Sequence, residues 1–417
     1  MIIRKKYLIY ILAIASSFIA AAVTALDSYV GAQSPFIKDP WAFAFGLFFV
    51  GAIITILIIL MLSIPIHGKS IGSKILDPSF KRIRFIHKKE LTNHLIAGLM
   101  NAVNTVGYCA IVSQVQDPSV ILSFSQIVIL YLLLMESITE KDVPTLVEVQ
   151  SSVIVTFGAI LASISLTGGF QFMPILLVFI VVNPTWAVFS IYQRKLKIMK
   201  IRNRPNDSIN IRFWNVVFTL FFTTIILFIK DIFSSSNHLI SGLTSSIHPY
   251  YFLLLATTMG TTFFAYVLYI RALGLGKASV NNAIRASTII FAIPFSILLL
   301  KLGYITEFST DPVMLLIKII GMILIILGIV SFALTIIKAY IFISIKPGYS
   351  SRETMKSLWA IRGVTHVTVT AGRYDFIVKV STRTLMKGYE RIIRKLDEID
   401  AIKKYHWESV LKEWEKI

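Results

Sequence analysis

The feature that most constrains this chain is a succession of apolar runs, each about 20 residues long, between residues 7 and 337. A run of about 20 residues crosses the hydrocarbon core of a bilayer as a single α-helix. Only 15% of the residues are charged, whereas soluble domains are about 25% charged. We therefore predict an all-α polytopic membrane domain with ten transmembrane helices. The predicted spans are 7–31, 42–65, 93–113, 118–138, 146–166, 172–192, 213–229, 250–270, 278–300 and 312–337.

The chain carries 41 Lys and Arg against 22 Asp and Glu, a formal net charge of +19, and the distribution of these charges indicates topology. With a cytoplasmic N-terminus, the inside segments hold 20 Lys and Arg, Arg212 among them, and the outside segments hold three. This bias follows the positive-inside rule. We expect a multi-pass protein of the cell membrane, with the N-terminus and the C-terminal domain both cytoplasmic. The lipid bilayer is then a partner, and nucleic acid is not.

The order of spans and loops repeats along the chain. Ser119 at the start of the fourth span matches Ser279 at the start of the ninth, and Gly158 in the fifth matches Gly321 in the tenth. Because each half has five helices, the second half enters the membrane from the opposite side, as in many secondary transporters. We predict two inverted five-helix repeats, residues 1–166 and 167–337, followed by a separate domain over residues 338–417.

Three motifs stand out within residues 5–337. They are Asp117-Pro118-Ser119-Val120-Ile121-Leu122-Ser123, Glu136 with the Lys-Asp-Val-Pro loop after it, and Ala272-Leu273-Gly274 followed by Lys277-Ala278-Ser279-Val280. With these motifs the segment resembles the EamA group of the drug/metabolite transporter superfamily. The second half departs from the pattern because it has no acidic counterpart of Glu136. The resemblance implies a secondary transporter of small metabolites such as amino acids, and we favour export.

Polar side chains recur at helical spacing inside the predicted spans. A spacing of i, i+3, i+4 and i+7 places them on one face of a helix. They either line a shared cavity or join helices without touching a substrate. Arg285 lies about 12 Å into the ninth span, where it either pairs with an acid such as Asp27 or binds an anionic substrate group. The predicted substrate-binding residues are Asn101, Asn104, Tyr108, Gln126, Thr261, Asn281 and Arg285.

Motifs for covalent or metal chemistry are missing from the sequence. No paired carboxylates, Ser–His pair or metal ligands stand at a usable spacing, and Cys109 is the only cysteine, so a disulfide framework within the chain is excluded. We expect no enzymatic activity, no metal and no cofactor.

Residues 338–417 contain no apolar run of spanning length, and their pattern changes from helical to mixed. An apolar, β-prone run predicts a strand near 340–345, and alternating apolar residues predict strands near 364–370 and 376–380. A final strand is predicted near 402–411, and helices are predicted after the first and the third strand. Ser350 and Glu353 form a possible capping box at the first helix. The order βαββαβ predicts an α+β ferredoxin-like domain.

This C-terminal segment contains three motifs: Ile361-Arg362-Gly363-Val364, Gly372-Arg373-Tyr374-Asp375-Phe376 and Leu396-Asp397-Glu398-Ile399. In these residues it is similar to the ligand-binding domain of the Lrp/AsnC regulators. The resemblance implies a homodimer and an amino-acid effector held near Gly372 and Asp375. A pure dimerisation module is the alternative for this segment. For the whole chain, the alternative to a transporter is a membrane-anchored amino-acid sensor that does not transport.

Overall fold

The computed structural model describes residues 5–114, 121–122, 125–140, 146–163, 176–201, 204–304, 312–334, 337–361, 363–382 and 392–409. The chain forms two compact units. The helical unit comprises Met1–Val143 and Ser152–Ile329, and the C-terminal unit comprises Pro144–Ser151 and Val330–Ile417.

Helices dominate residues 5–334, and only two short hairpins interrupt them in the described residues. The helices are α1 Lys5–Gly31, α2 Ser34–Lys38, α3 Pro40–Leu62, α4 Ile71–Ile75, α5 Lys88–Val112, α6 Val128–Glu140, α7 Leu146–Ser163, α8 Asn183–Ile198, α9 Ser208–Ser234, α10 His238–Ile247, α11 Pro249–Leu273, α12 Ala278–Arg285, α13 Thr288–Lys301 and α14 Pro312–Leu334. A π-helical turn, Val178–Val182, leads into α8. The hairpins are β1 Pro65–Ile66 with β2 Lys69–Ser70, and β3 Lys200–Ile201 with β4 Arg204–Pro205.

Six helical segments in the described residues are long and apolar enough to cross a membrane. They are Leu8–Gly31 of α1, then α3, α5, α9, α11, and the segment Ala278–Lys301 that contains α12 and α13. Val149–Gly158 and Leu316–Gly328 are shorter apolar helices. The ten-span count stays a prediction, because the predicted spans 118–138, 146–166, 172–192 and 312–337 extend into residues outside the described ranges.

Large apolar side chains cover much of the outer surface of these helices. Leu57 is 58% exposed, Phe228 58% and Leu253 67%. A soluble monomer rarely exposes so extended an apolar surface, whereas lipid accepts it. The helical unit is therefore compatible with a membrane protein.

Several of the described helices pack against more than one neighbour. Among the packed pairs are α1 with α11, α5 with α8, α3 with α11, α5 with α9, α1 with α12 and α13, α6 with α8, α3 with α5, α9 with α11, α3 with α9, and α3 with α10. α7 and α14 approach each other at Gly158 and Gly321, where a Cβ atom added to Gly158 would lie 2.6 Å from the Gly321 carbonyl oxygen.

The C-terminal unit contains a four-stranded antiparallel sheet. Its strands are β5 Ile337–Ile345, β6 Val364–Val369, β7 Phe376–Thr382 and β8 Ile402–Ser409, and their order in the sheet is β6-β7-β5-β8. α15, Ser351–Ala360, follows β5, and residues 392–397 are helical before β8. The predicted α+β class is confirmed, and the strand order is that of a ferredoxin-like sheet.

Two details of the C-terminal unit differ from the sequence prediction. Ser350 precedes α15, but its side chain accepts no capping hydrogen bond. Val367 is buried, whereas Val369, which the two-residue period of a strand places on the same face, is 54% exposed. Val369 lies at the end of β6, where it pairs with Phe376, the first residue of β7, so little structure is left there to cover it.

Candidate functional site

The helical unit encloses a cavity of about 160 Å³. A water needs about 10–15 Å³ by this measure, so the cavity has room for a solute of roughly ten non-hydrogen atoms. Residues from α1, α3, α5, the segment 122–128, α8, α9, α11, α12 and α13 line it. Its wall combines apolar side chains with Asn, Thr, Tyr and charged groups, as is usual for small-molecule sites.

Asp27 of α1 is a buried carboxylate in the cavity wall, 5% exposed. The Tyr108 hydroxyl donates a hydrogen bond to Asp27 Oδ2 at 2.9 Å, and Asp27 Oδ1 has no hydrogen-bond partner. Within the described residues, no Lys, Arg or His nitrogen lies within ion-pair distance of this carboxylate. Such a group in an apolar domain requires a proton or a cationic ligand to offset its burial.

Arg285 ends α12 at the cavity, in contact with aromatic rings. Its guanidinium carbon lies 4.4 Å from the centre of the Tyr269 ring and 5.7 Å from that of Trp186. Its Nε atom has no hydrogen-bond partner. Within the described residues, Arg285 therefore does not pair with Asp27, and its unpartnered Nε is available to a ligand.

Arg212 of α9 is a second arginine in the cavity wall. The sequence prediction placed it in a segment before the seventh span, whereas the structure places it inside α9, where it is 1% exposed. Its Nη1 donates to Asn215 Oδ1 at 3.1 Å, its guanidinium lies 4.2 Å from the Tyr266 ring centre, and its Nε is unpartnered. α9 begins at Ser208, before the predicted span, and this places Arg212 inside the helix.

Four of the predicted substrate-binding residues line the cavity: Asn104, Tyr108, Gln126 and Arg285. Asn104 Nδ2 also donates to the Val182 carbonyl oxygen at 2.8 Å, so this side chain ties α5 to the turn before α8.

Asn101, Thr261 and Asn281 do not line the cavity. Asn101 donates to Thr219 Oγ1 of α9 at 2.9 Å, and Thr261 donates to the carbonyl oxygen of Thr257 on a partly exposed face of α11. Asn281 is buried against α11. The next residues along the chain, Thr262 and Asn282, line the cavity instead. Consecutive residues are rotated by about 100° around the helix axis. The predicted residues and the lining residues therefore lie on different faces of their helices.

Sequence reasoning also missed the aromatic wall of the cavity. The Trp186 ring centre lies 5.8 Å from that of Tyr266, and Trp186 Nε1 donates to Asn282 Oδ1 at 3.3 Å. Trp186 follows Asn183-Pro184 in the sequence, and a proline cannot donate to the hydrogen-bond ladder of a helix. The structure has a π-helical turn immediately before this point, a common feature of functional sites.

Two helical segments are broken at the cavity. α12 ends at Arg285 and α13 begins at Thr288, so the predicted continuous helix 278–300 is interrupted. The backbone tightens across the break, with Ile289 N–H bonded to Ala286 O and Ile290 N–H to Ser287 O. Before α6, the Ile129 and Leu130 N–H groups bond in the same way to Gln126 O and Ile127 O.

A polar cluster closes one end of the helical unit, between the loop 63–87 and the start of α9. Lys197 Nζ lies 2.6 Å from Asp77 Oδ2, and Ser208 Oγ donates to the same oxygen. Burial raises the pKa of Asp77, but Lys197 and Ser208 outweigh burial and hold the pKa below its usual value. Arg84 forms a two-pronged ion pair with Glu90, with both distances at 2.7 Å.

Glu136 of α6 caps the N-terminus of α12. Its Oε1 accepts from Ala278 N–H at 2.7 Å and its Oε2 accepts from Ser279 Oγ at 2.5 Å. A carboxylate in this position satisfies free N–H groups and the helix dipole. These contacts give Glu136 a structural role at the start of α12.

The predicted effector residues lie on the β6–β7 turn of the C-terminal unit. Asp375 Oδ2 accepts from Ile345 N–H at 2.8 Å, so this carboxylate supports the end of β5. Gly372 is exposed, and a Cβ atom there would meet nothing within 4 Å. The turn is open to solvent at Gly372, and the neighbouring Tyr374 ring packs on Phe342.

Comparison with protein families identifies the C-terminal segment. Residues 338–416 match the model described as the Lrp/AsnC ligand binding domain. This part of the chain is an Lrp/AsnC-type ligand-binding domain. Both the family match and the strand order described above agree with the resemblance seen in the sequence.

The helical region has no comparable family match, and no curated protein matches the chain significantly. One matching solved structure, titled "Crystal structure of protein", is 14% identical with a TM-score of 0.52. The alignment covers 78% of this chain and 96% of that one, far more than the Lrp/AsnC domain alone. At this identity the likeness concerns the fold.

Proposed function

We propose that the helical unit is a secondary transporter of small metabolites, amino acids or related compounds, and that it works as an exporter rather than an enzyme. The observation that carries the proposal is the polar cavity within an otherwise apolar bundle. Charged groups without a counter-charge are costly in such surroundings. A cavity lined by Asp27, Arg212 and Arg285 therefore favours a polar solute over lipid.

The helix packing supports two inverted repeats. If spans 1–5 correspond to spans 6–10, the pair α1–α11 corresponds to α8–α5, and α3–α11 corresponds to α9–α5. Likewise α1–α13 corresponds to α8–α6, and α3–α5 to α9–α11. In each of these four correspondences both pairs of helices are packed together, as a two-fold relation between the halves requires.

The cavity lining follows the same relation. Leu122, Ser125 and Val128 stand 160 residues before Asn282, Arg285 and Thr288, and all six line the cavity. The two tightened backbone segments, 126–130 and 286–290, are related by the same shift. Broken helices at the interface of inverted repeats are typical binding sites of secondary transporters.

We propose that the Lrp/AsnC-type domain lies in the cytoplasm, forms a homodimer and adjusts transport when it binds an amino acid. The positive-inside bias supports this placement, and removing Arg212 from the inside count leaves the bias in place. A sensor of cytoplasmic amino acids on an exporter would open the route when the solute accumulates.

The test of transport is flux through the full-length protein in proteoliposomes, measured by exchange of radiolabelled amino acids. Exchange above that of empty vesicles supports a transporter. Saturable binding without exchange contradicts transport and favours the membrane-anchored sensor. Equal flux with and without an amino acid that binds the C-terminal domain would contradict regulation.

Topology can be tested by cysteine labelling in a Cys109→Ser background. Ser234→Cys, at the outer end of α9, should react with a membrane-impermeant maleimide on intact cells. Ser350→Cys, in the C-terminal unit, should react only after lysis. Labelling of Ser350→Cys on intact cells would refute the proposed orientation.

A further inference from the structure

The charges in the cavity define a more specific ligand class than the proposed function does. We infer that the cavity binds a solute with two carboxylates and one ammonium group, an acidic amino acid, through Arg212, Arg285 and Asp27. The inference rests on the proposed function for its biological role, but it concerns binding, which is measurable separately from flux.

Charge balance is the first argument. The three residues contribute two cations and one anion to the lining, and within the described residues none of them forms an ion pair. Arg212 and Asp27 are nearly fully buried. A buried ion without a counter-charge costs several kcal/mol, so the favoured ligand brings two negative charges and one positive charge.

The unpaired polar atoms of the three residues are the second argument. Asp27 Oδ1, Arg212 Nε and Arg285 Nε are buried atoms without a hydrogen-bond partner. Unpaired buried polar atoms are rare in native structures and call for a ligand or water. A carboxylate suits each guanidinium, because its planar donor edge matches two carboxylate oxygens, and an ammonium group suits the free oxygen of Asp27.

The aromatic wall keeps the two arginines in place. Arg212 packs on Tyr266 and Arg285 packs on Tyr269, and the two ring centres lie 6.3 Å apart. Both rings belong to neighbouring residues of α11, and Tyr266 lines the cavity together with Arg212, Arg285 and Asp27. The two cations and the carboxylate therefore border the same small cavity, as recognition of one small solute requires.

The experiment is equilibrium binding of radiolabelled L-glutamate and L-aspartate to the full-length protein in detergent, with unlabelled competitors. Both probes should bind, L-leucine should compete at least tenfold more weakly, and succinate, which lacks the ammonium group, should also be weaker. A charge-assisted hydrogen bond contributes about 1.5–3 kcal/mol, or roughly a tenfold to hundredfold change in affinity. L-Leucine competing as well as L-glutamate would overturn the inference.

Variants assign the binding to the cavity. Arg212→Gln and Arg285→Gln should each weaken L-glutamate at least tenfold, and Arg82→Gln, which removes an exposed loop arginine, is the matched control with unchanged affinity. Asp27→Asn should weaken L-glutamate and strengthen succinate. Wild-type glutamate affinity in both cavity arginine variants would refute the site, including the case where glutamate binds only the C-terminal domain.

Folding and function are kept separate. Gel filtration shows whether Arg212→Gln is folded. If it is not, Arg212→Lys, which retains the cation, takes its place. The competition series on the wild type tests the ligand class in either case. Glutamate binding at the cavity without flux contradicts transport and leaves the ligand class intact. Flux of neutral but not acidic amino acids contradicts the ligand class and leaves transport intact.

Discussion

The close approach of α7 and α14 gives a sharp prediction for a single methyl group. In Gly158→Ala the new Cβ would lie 2.6 Å from Gly321 O and 2.9 Å from Ile325 N. Both are backbone atoms, which cannot rotate away as a side chain can. Overpacking of this kind costs about 1–3 kcal/mol, because the helices must move apart.

Gly260→Ala is the matched control, also within an apolar helix. Its Cβ would meet only Ile54 Cγ2, at 3.7 Å, which is an ordinary contact. Both variants gain about 0.8–1.0 kcal/mol of helix propensity, so this contribution cancels between them. We expect Gly158→Ala to be less stable than Gly260→Ala by about 1–3 kcal/mol.

The measurement is thermal unfolding of both variants in the same detergent, followed by tryptophan fluorescence. At roughly 2 °C per kcal/mol, the lower end of the range for domains of 150–250 residues, the expected difference is about 2–6 °C. Equal unfolding temperatures would show that α7 and α14 do not meet at these glycines. A lower temperature for Gly260→Ala would refute the packing argument altogether.

Three further outcomes are expected. Lys197→Met should destabilise the helical unit by about 3–5 kcal/mol, because it leaves Asp77 buried without its cation. Adding Asp77→Asn to this variant should restore part of the lost free energy of unfolding, which a double-mutant cycle measures. Because the folded pKa of Asp77 is lowered, the Asp77–Lys197 pair stabilises the fold above the unfolded pKa of about 3.9, and that stabilisation is lost as the pH falls. In pH-dependent melting, the unfolding temperature of the wild type should therefore fall more than that of Asp77→Asn below a pH of about 4. Glu136→Gln should lower stability by about 1–2 kcal/mol because the cap on α12 loses its charge, and no change in melting would count against the cap. Asp375→Ala should lower the stability of the C-terminal unit by about 1–3 kcal/mol, because it leaves Ile345 N–H unpaired. Hydrogen exchange in β5 should become faster, and an unchanged exchange rate would count against this role of Asp375.

The C-terminal domain was the most predictable part of the chain. In β7, for example, Phe376, Val378 and Val380 are buried at every second position because one face of the sheet covers a core, and a period of two is visible in a single sequence. Predicted strands 340–345 and 402–411 correspond to β5 and β8. Details at the edges, such as the exposure of Val369, depend on which strand lies opposite.

The sequence by itself determined where apolar helices form, since spanning length and hydropathy are local properties of a run of residues. It also determined the matching positions Gly158 and Gly321, which meet in the structure. Only the tertiary structure decided which face of each helix borders the cavity. A rotation of about 100° per residue separates Asn281 from Asn282, and neighbouring helices choose between them. Averaged hydropathy likewise missed Arg212, because its burial depends on the Tyr266 ring, more than fifty residues away in the chain.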